Sequence, residues 1–201
     1  MAIENTSRER LLASAKILIH SRGYADVGVQ ELCSHAGIKK GSFYHFFPSK
    51  QALTLAALDA MMGEIKQRVF VPAFSKEVPP LERIRRFFRL SHVMQRDAKL
   101  EIGCVLGCPF GNLALELGTR EEEIRTAIEG LFARVIATFR DTLEEAIAIG
   151  DLPPEIDTDA TAQALLAFAE GILMLAKNRN DPDVLLGQEK MALRLCGVSQ
   201  D

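Results

Sequence analysis

Apolar positions in this chain recur every three to four residues almost from end to end. The strict alternation that marks strands is nearly absent, so the pattern predicts an all-α protein. Thr6 and Glu9 form a capping box that opens a first helix running to about Arg22. Leu11, Leu12, Ala15, Leu18 and Ile19 fall on one face of it, and Gly23 is its stop. A short amphipathic run, Val29–Ala36, is broken by Gly37, and another short helix begins near Lys39. Pro48-Ser49-Lys50 ends that pair, with Ser49 as N-cap of a long fourth helix through about Phe70. Val71–Pro80, with three prolines, reads as a linker.

Beyond the linker the spacing predicts a helix over Leu81–Lys99 with Ile84, Phe87, Phe88 and Ser91 inward, then a shorter one ending at Leu117. Thr119 and Glu122 read as a second capping box, opening a long helix to about Ile149. Its stripe is Ile124, Ile128, Leu131, Val135, Phe139, Leu143 and Ile147. Asp157–Lys177 forms the next helix, with Leu165, Phe168, Ala169, Ile172 and Leu173 along a wide stripe. Asp181 and Pro182 start a last helix to about Cys196, which makes about nine in all.

Charge changes the picture. The chain carries −3 overall, which by itself argues against a nucleic-acid partner. Residues 1–50, however, hold seven Lys/Arg against four acids, and the remainder holds 17 against 23. A basic head on an acidic body fits localised contact with DNA better than contact with a membrane or bulk RNA. The longest apolar run, Ala164–Ala176, is interrupted by Glu170 and Gly171 and falls short of the ~20 residues a membrane span needs. The polar N-terminus does not read as a signal peptide, and the four cysteines then read as reduced thiols in the cytoplasm. No cysteine or histidine spacing suggests a metal site, and no cofactor is expected.

The segment Gly28–Lys50, GVQELCSHAGIKKGSFYHFFPSK, is two short helices joined by a tight turn. The second is too short to build core, yet it carries Lys39, Lys40, Ser42, Tyr44 and His45. A helix-turn-helix places its second helix in the DNA major groove. The string G-S-F-Y-H-F-F-x-S-K from Gly41 to Lys50 resembles the signature of the TetR family of repressors. That resemblance implies a three-helix DNA-binding head over residues 1–50, with the motif at about 29–47, and a ligand-binding, dimerising helical body over 51–201. It also implies a homodimer on a palindromic operator, joined through a four-helix bundle of the last two helices of each subunit. Half-sites would then lie ~34 Å apart or a multiple of it.

Within the motif, cations serve phosphates and short side chains serve base edges. Lys39 and Lys40 stand at the start of the recognition helix, Gly41 lets backbone approach the duplex, and Ser42 can touch a base or phosphate. Tyr44 and His45 resemble the family's phosphate contacts, and Lys50 adds a cation in the first turn of the fourth helix. Phe43, Phe46 and Phe47 are expected to pack the head. Gly28 departs from the Ser or Thr usual at the N-cap, which removes a hydroxyl, and Cys33 fills a small apolar slot.

In the body, Phe87, Phe88, Met94, Phe110, Leu113, Phe132 and Phe139 line a pocket or fill core; the sequence leaves both open. Cys104 and Cys108 lie in GCVLGCPFGNLALELG, with Cys108 just ahead of Pro109 at a helix start, where the dipole favours thiolate. That stretch resembles a branch of the family responding to electrophiles and unsaturated acids, which also tends to carry a lysine at the position of Lys177. Cys108 is then a candidate sensor with Lys177 as thiolate partner; the alternative is two buried thiols and a lysine reaching water. Two other classes stay open: a helical scaffold or adaptor with a vestigial head, and a small thiol-dependent enzyme pairing Cys108 with His92. No catalytic motif favours an enzyme.

Overall fold

A computed structural model describes residues 6–198, and the described residues are helical throughout, with no strand. Helix α1 is Ser7–Arg22, α2 Val29–His35, α3 Lys40–Phe46 and α4 Lys50–Ile65. Helix α5 is Pro80–Ile102, α6 Pro109–Leu117, α7 Glu122–Ala148, α8 Thr158–Arg179 and α9 Gln188–Leu195. The Thr6 capping box forms as expected: the Thr6 amide donates to Glu9 at 2.7 Å and the Glu9 amide to the Thr6 hydroxyl at 3.3 Å. Ser49 and Asp157 cap α4 and α8, accepting from the Ala52 and Ala160 amides.

Three expectations are corrected. Helix α4 does not stop at Phe70. It widens into a π-helical stretch, Lys66–Phe70, and makes one more α-turn, Val71–Ala73. Pro72 has no N–H for the Arg68 carbonyl and its ring would crowd that oxygen, so a wider turn ahead of it accommodates the proline without ending the helix. The linker is therefore shorter than Val71–Pro80. Thr119 caps nothing: the Arg120 and Glu121 amides both donate to the Leu117 carbonyl, and the first bond of α7 runs from Arg125 to the Glu121 carbonyl. Finally, Asp181 accepts from Asp183, two residues on, which closes a 3-10 turn over Pro182–Leu185. Helix α9 begins only at Gln188.

The described chain divides into two compact units. One runs up to Glu64 and takes in Pro109–Ile128; the other comprises Ile65–Cys108 and the chain from Glu129 onward. In the first, Leu11, Ala15, Leu32, Phe43, Leu53 and Leu58 are buried, as are Leu113 and Ile124. In the second, Phe87 meets Phe70, Phe88 and Phe139 edge-on, with centroids 5.1–5.4 Å apart. Arg83 is 5% exposed. It donates to the Val78 carbonyl at 2.7 Å and to Glu145 at 2.7 Å, closing the linker against α7. Bonds from Lys76 and Arg83 hold the Glu145 carboxyl below the usual range.

Candidate nucleic-acid interface and thiol site

Helix α2 begins at Gly28, whose extended backbone lets its carbonyl accept from Leu32 but which offers no side-chain cap. Leu32 and Cys33 are buried beneath it. The helix ends in a Schellman motif: the Ile38 amide donates to the Cys33 carbonyl at 2.9 Å and the Gly37 amide to Ser34 at 3.2 Å. Gly37 sits at φ 65°, a left-handed value that costs a side-chain-bearing residue and costs glycine little. These two backbone bonds set the tight turn, and Lys39 then caps α3 in an extended conformation.

Helix α3 is seven residues long and is held by two aromatic rings. Phe43 and Phe47, one turn apart, are buried with their ring centroids 6.3 Å apart, and Arg8 lies over the Phe47 ring. Phe46 is half-buried. Everything else expected to meet DNA from this helix faces outward: Lys39, Lys40, Gly41, Ser42, Tyr44 and His45 are all exposed, Tyr44 by 57%. A Cβ built on Gly41 meets nothing within 4 Å, so the helix backbone is open to approach there.

Lys50 opens α4, as expected, and is half-buried. Its ammonium donates to the Tyr24 carbonyl at 2.9 Å and the Val27 carbonyl at 3.2 Å, and stands 3.9 Å from the Tyr24 ring centre. Burial lowers its pKa, while the nearby charges of Glu116 and Glu121 work in the other direction. The Lys50 charge serves the loop between α1 and α2. Across that loop stands Glu116, which the sequence pattern did not single out: its carboxylate accepts from the Tyr24 and Ala25 amides. The one signal for it was its isolation as the single charged residue of α6.

In the second unit, the segment before α6 is pinned at several points. The Gln95 amide group exchanges two bonds with the Gly107 peptide, at 3.1 and 3.2 Å, and the Val105 amide donates to Asn180 at 2.8 Å. Cys104 and Cys108 are half-buried, and none of the four cysteines is in a disulfide. The Cys108 thiol is hydrogen-bonded to Glu170 of α8, whose carboxyl burial pushes up while that bond works downward. Glu170 was visible as the charge interrupting an apolar run, but its partner was not. Lys177, expected beside the thiol, is exposed; its aliphatic stem passes over Gly107. Burial raises the thiol pKa of Cys33, and that of Cys196 to about 12, which leaves both as packing groups.

Of the aromatic set expected to line a pocket or fill core, Phe87 meets both Phe88 and Phe139. Phe87 and Phe88 are packed in the core of the second unit, Phe132 is half-buried in that unit, and Phe110 is buried in the first. His92, the base considered for a thiol enzyme, is engaged by Asp183 at 3.0 Å. Among the described residues no group of three or more His, Cys, Asp or Glu side chains could hold a metal ion.

The chain matches two family models, one described as bacterial regulatory proteins, tetR family, over residues 11–57, and one as tetracyclin repressor-like, C-terminal domain, over residues 80–187. It is 32% identical to the transcriptional regulator AcuR of Cereibacter sphaeroides over 164 residues, 82% of this chain and 73% of AcuR. It is also 32% identical to the HTH-type transcriptional repressor NemR of Escherichia coli K12 over 143 residues, 70% of this chain and 69% of that one. Among solved structures, the regulatory protein TetR from Rhodobacter sphaeroides superposes with a TM-score of 0.83 at 30% identity, covering 95% of this chain and 99% of that one. The reduced form of E. coli NemR superposes with a TM-score of 0.77 at 27% identity, covering 94% and 97%.

Proposed function

The chain belongs to the TetR family of DNA-binding transcriptional regulators, and from that premise we propose that it is a homodimeric repressor released from a palindromic operator by a thiol-reactive small molecule. The observation that carries the DNA half is the outward row Lys39, Lys40, Gly41, Ser42, Tyr44 and His45 on a helix anchored by Phe43 and Phe47. In this reading the two lysines and Ser42 serve base edges and phosphates, and Tyr44 and His45 hold phosphates. Residues 1–50 form the DNA-binding domain and 51–201 the sensing and dimerising domain, and the protein works in the cytoplasm.

The dimer half rests on α8 and on the chain from Pro182 to Leu195. By length and composition α8 is apolar enough to cross a membrane, yet only 28% of its most apolar stretch is buried within the protomer. Met174, Leu175, Leu186, Met191 and Leu195 are all exposed. Apolar faces of this extent are covered in a working protein, and in a helical regulator a second copy is the simplest cover.

Release is assigned to Cys108. Its thiol has a carboxyl partner in Glu170 and lies at the start of α6. An α,β-unsaturated carbonyl compound would form an S–C bond at its β-carbon, with the thiol proton passing to Glu170 and on to the α-carbon. The added group enlarges a half-buried side chain and shifts the balance away from the DNA-binding conformer. A gel shift with the DNA flanking the chain's own gene tests the whole reading. Wild-type protein should bind a palindrome there with a log–log salt slope of about −0.9 per neutralised phosphate. An unsaturated aldehyde should release it. Absence of any retained duplex at low salt would reject the reading.

A further inference from the structure

The loop between α1 and α2 is gripped from both sides by charges that arrive from other parts of the chain. Glu116 places one carboxylate oxygen 2.8 Å from the Tyr24 amide and the other 2.6 Å from the Ala25 amide. Lys50 closes the opposite side through the carbonyls of Tyr24 and Val27. The seat is shaped for the carboxylate. Gly23 has φ 94°, and a Cβ there would stand 2.9 Å from a Glu116 oxygen. The loop ends at fully buried Val27, one residue before Gly28, the N-cap that contributes no side chain to α2.

A helix start without its own cap has to be located by something else. Two amides bonded to one carboxylate are charge-assisted and bidentate, which fixes direction as well as distance. Lys50 supplies the complementary sign to the two carbonyls, so the same short loop presents donors to one partner and acceptors to the other.

We propose that Glu116, with Lys50, is a positioning residue for DNA binding: it clamps loop 23–27, sets where α2 begins, and through the Gly37 turn sets how α3 is presented. Glu116 itself touches no DNA. The inference rests on the reading that α3 meets DNA, and it reassigns Lys50 from phosphate contact to clamp.

The probe is a duplex enriched from a random library by the wild-type protein. Against it we compare Glu116→Ala, Glu116→Gln, Gly23→Ala and, as control on the same helix, Leu115→Ala, since Leu115 is 84% exposed. Glu116→Ala should weaken binding roughly ten- to a hundredfold, the loss of two charge-assisted hydrogen bonds. Glu116→Gln should fall between it and wild type, Gly23→Ala should behave like Glu116→Ala, and Leu115→Ala should bind as wild type. In amide proton–nitrogen spectra, the Tyr24 and Ala25 signals should move upfield in both Glu116 variants, with helix content and oligomer mass unchanged. Glu116→Ala binding as tightly as wild type would overturn the proposal, as would unmoved Tyr24 and Ala25 signals, or a loss no larger than that of Leu115→Ala. If wild-type protein enriches no duplex, the DNA-binding reading fails and the positioning role falls with it. The amide signals would still report whether the clamp exists.

Discussion

Helices α3 and α8 both expose surface that the protomer does not use, but the exposed surfaces are opposite in kind. Helix α3 has one fully buried ring, and its outward positions are lysine, serine, tyrosine and histidine. Helix α8 is three times as long and keeps methionine and leucine outside. An exposed row of cations and hydroxyls gains nothing from a hydrophobic partner and much from phosphates. An exposed apolar stripe is the reverse. The chemistry of the uncovered side, more than the helix that carries it, tells DNA from a second copy of the chain.

The hardest blow to that contrast is to make α8 resemble α3. Met174→Glu with Leu175→Lys puts charge on the apolar side without touching the buried Ile172 and Ala176. The variant should sediment as a folded monomer and lose operator affinity by at least roughly a hundredfold, since each head then binds alone. A dimer of wild-type affinity would remove the assignment of this face.

Stripping the other helix is milder. Lys40→Ala in an intact dimer should weaken binding about tenfold at moderate salt and flatten the log–log salt slope by about two, one phosphate per subunit. An unchanged slope in a salt titration would take Lys40 off the DNA.

The next test leaves resting affinity alone. Cys108→Ser should bind the operator as wild type does and stay bound when an unsaturated aldehyde is added, with mass spectrometry showing no adduct at residue 108. Full release of the serine variant would sink the thiol assignment.

The smallest effect concerns Glu170, a charge inside the stripe that α3 would wear outside. Burial raises its carboxyl pKa in the folded protein. Such a group adds stability below the ordinary value of 4.5, and that contribution is lost as pH climbs through the raised folded value. Glu170→Gln should therefore melt higher than wild type at neutral pH, with the gap closing below pH 4.5. Glu145 has the opposite sign: its pKa is lowered, so its contribution is full above 4.5 and disappears as pH falls through the lowered value. Thermal melts across that range check both.

What the sequence made legible was local. The Thr6–Glu9 box, the Gly37 turn and Ser49 all act across three to five residues, so spacing alone exposes them. The same logic failed at Thr119 and Glu122, because the winding at the end of α6 continues past Thr119 before α7 begins. It also failed at Pro72, where a wider turn absorbs a residue that spacing treats as a breaker. The partners of Lys50, Glu116 and Cys108 were out of reach for a different reason. Glu116 meets Tyr24 across 92 residues, and Cys108 meets Glu170 of a helix two elements on, pairings set by packing. Both acids did leave a trace, Glu116 as the single charge of α6 and Glu170 as the charge interrupting the apolar run Ala164–Ala176, and a charge in such a setting implies a partner brought in by the fold.

The two bonds that shape the bend at Gly37 use main-chain atoms alone. Side chains from Lys39 to His45 can therefore be exchanged without altering the angle between α2 and α3, provided residue 37 stays glycine and Phe43 stays in place. Angle and alphabet are separately editable here, so libraries that randomise the exposed letters of α3 should yield new target preferences on an unchanged scaffold.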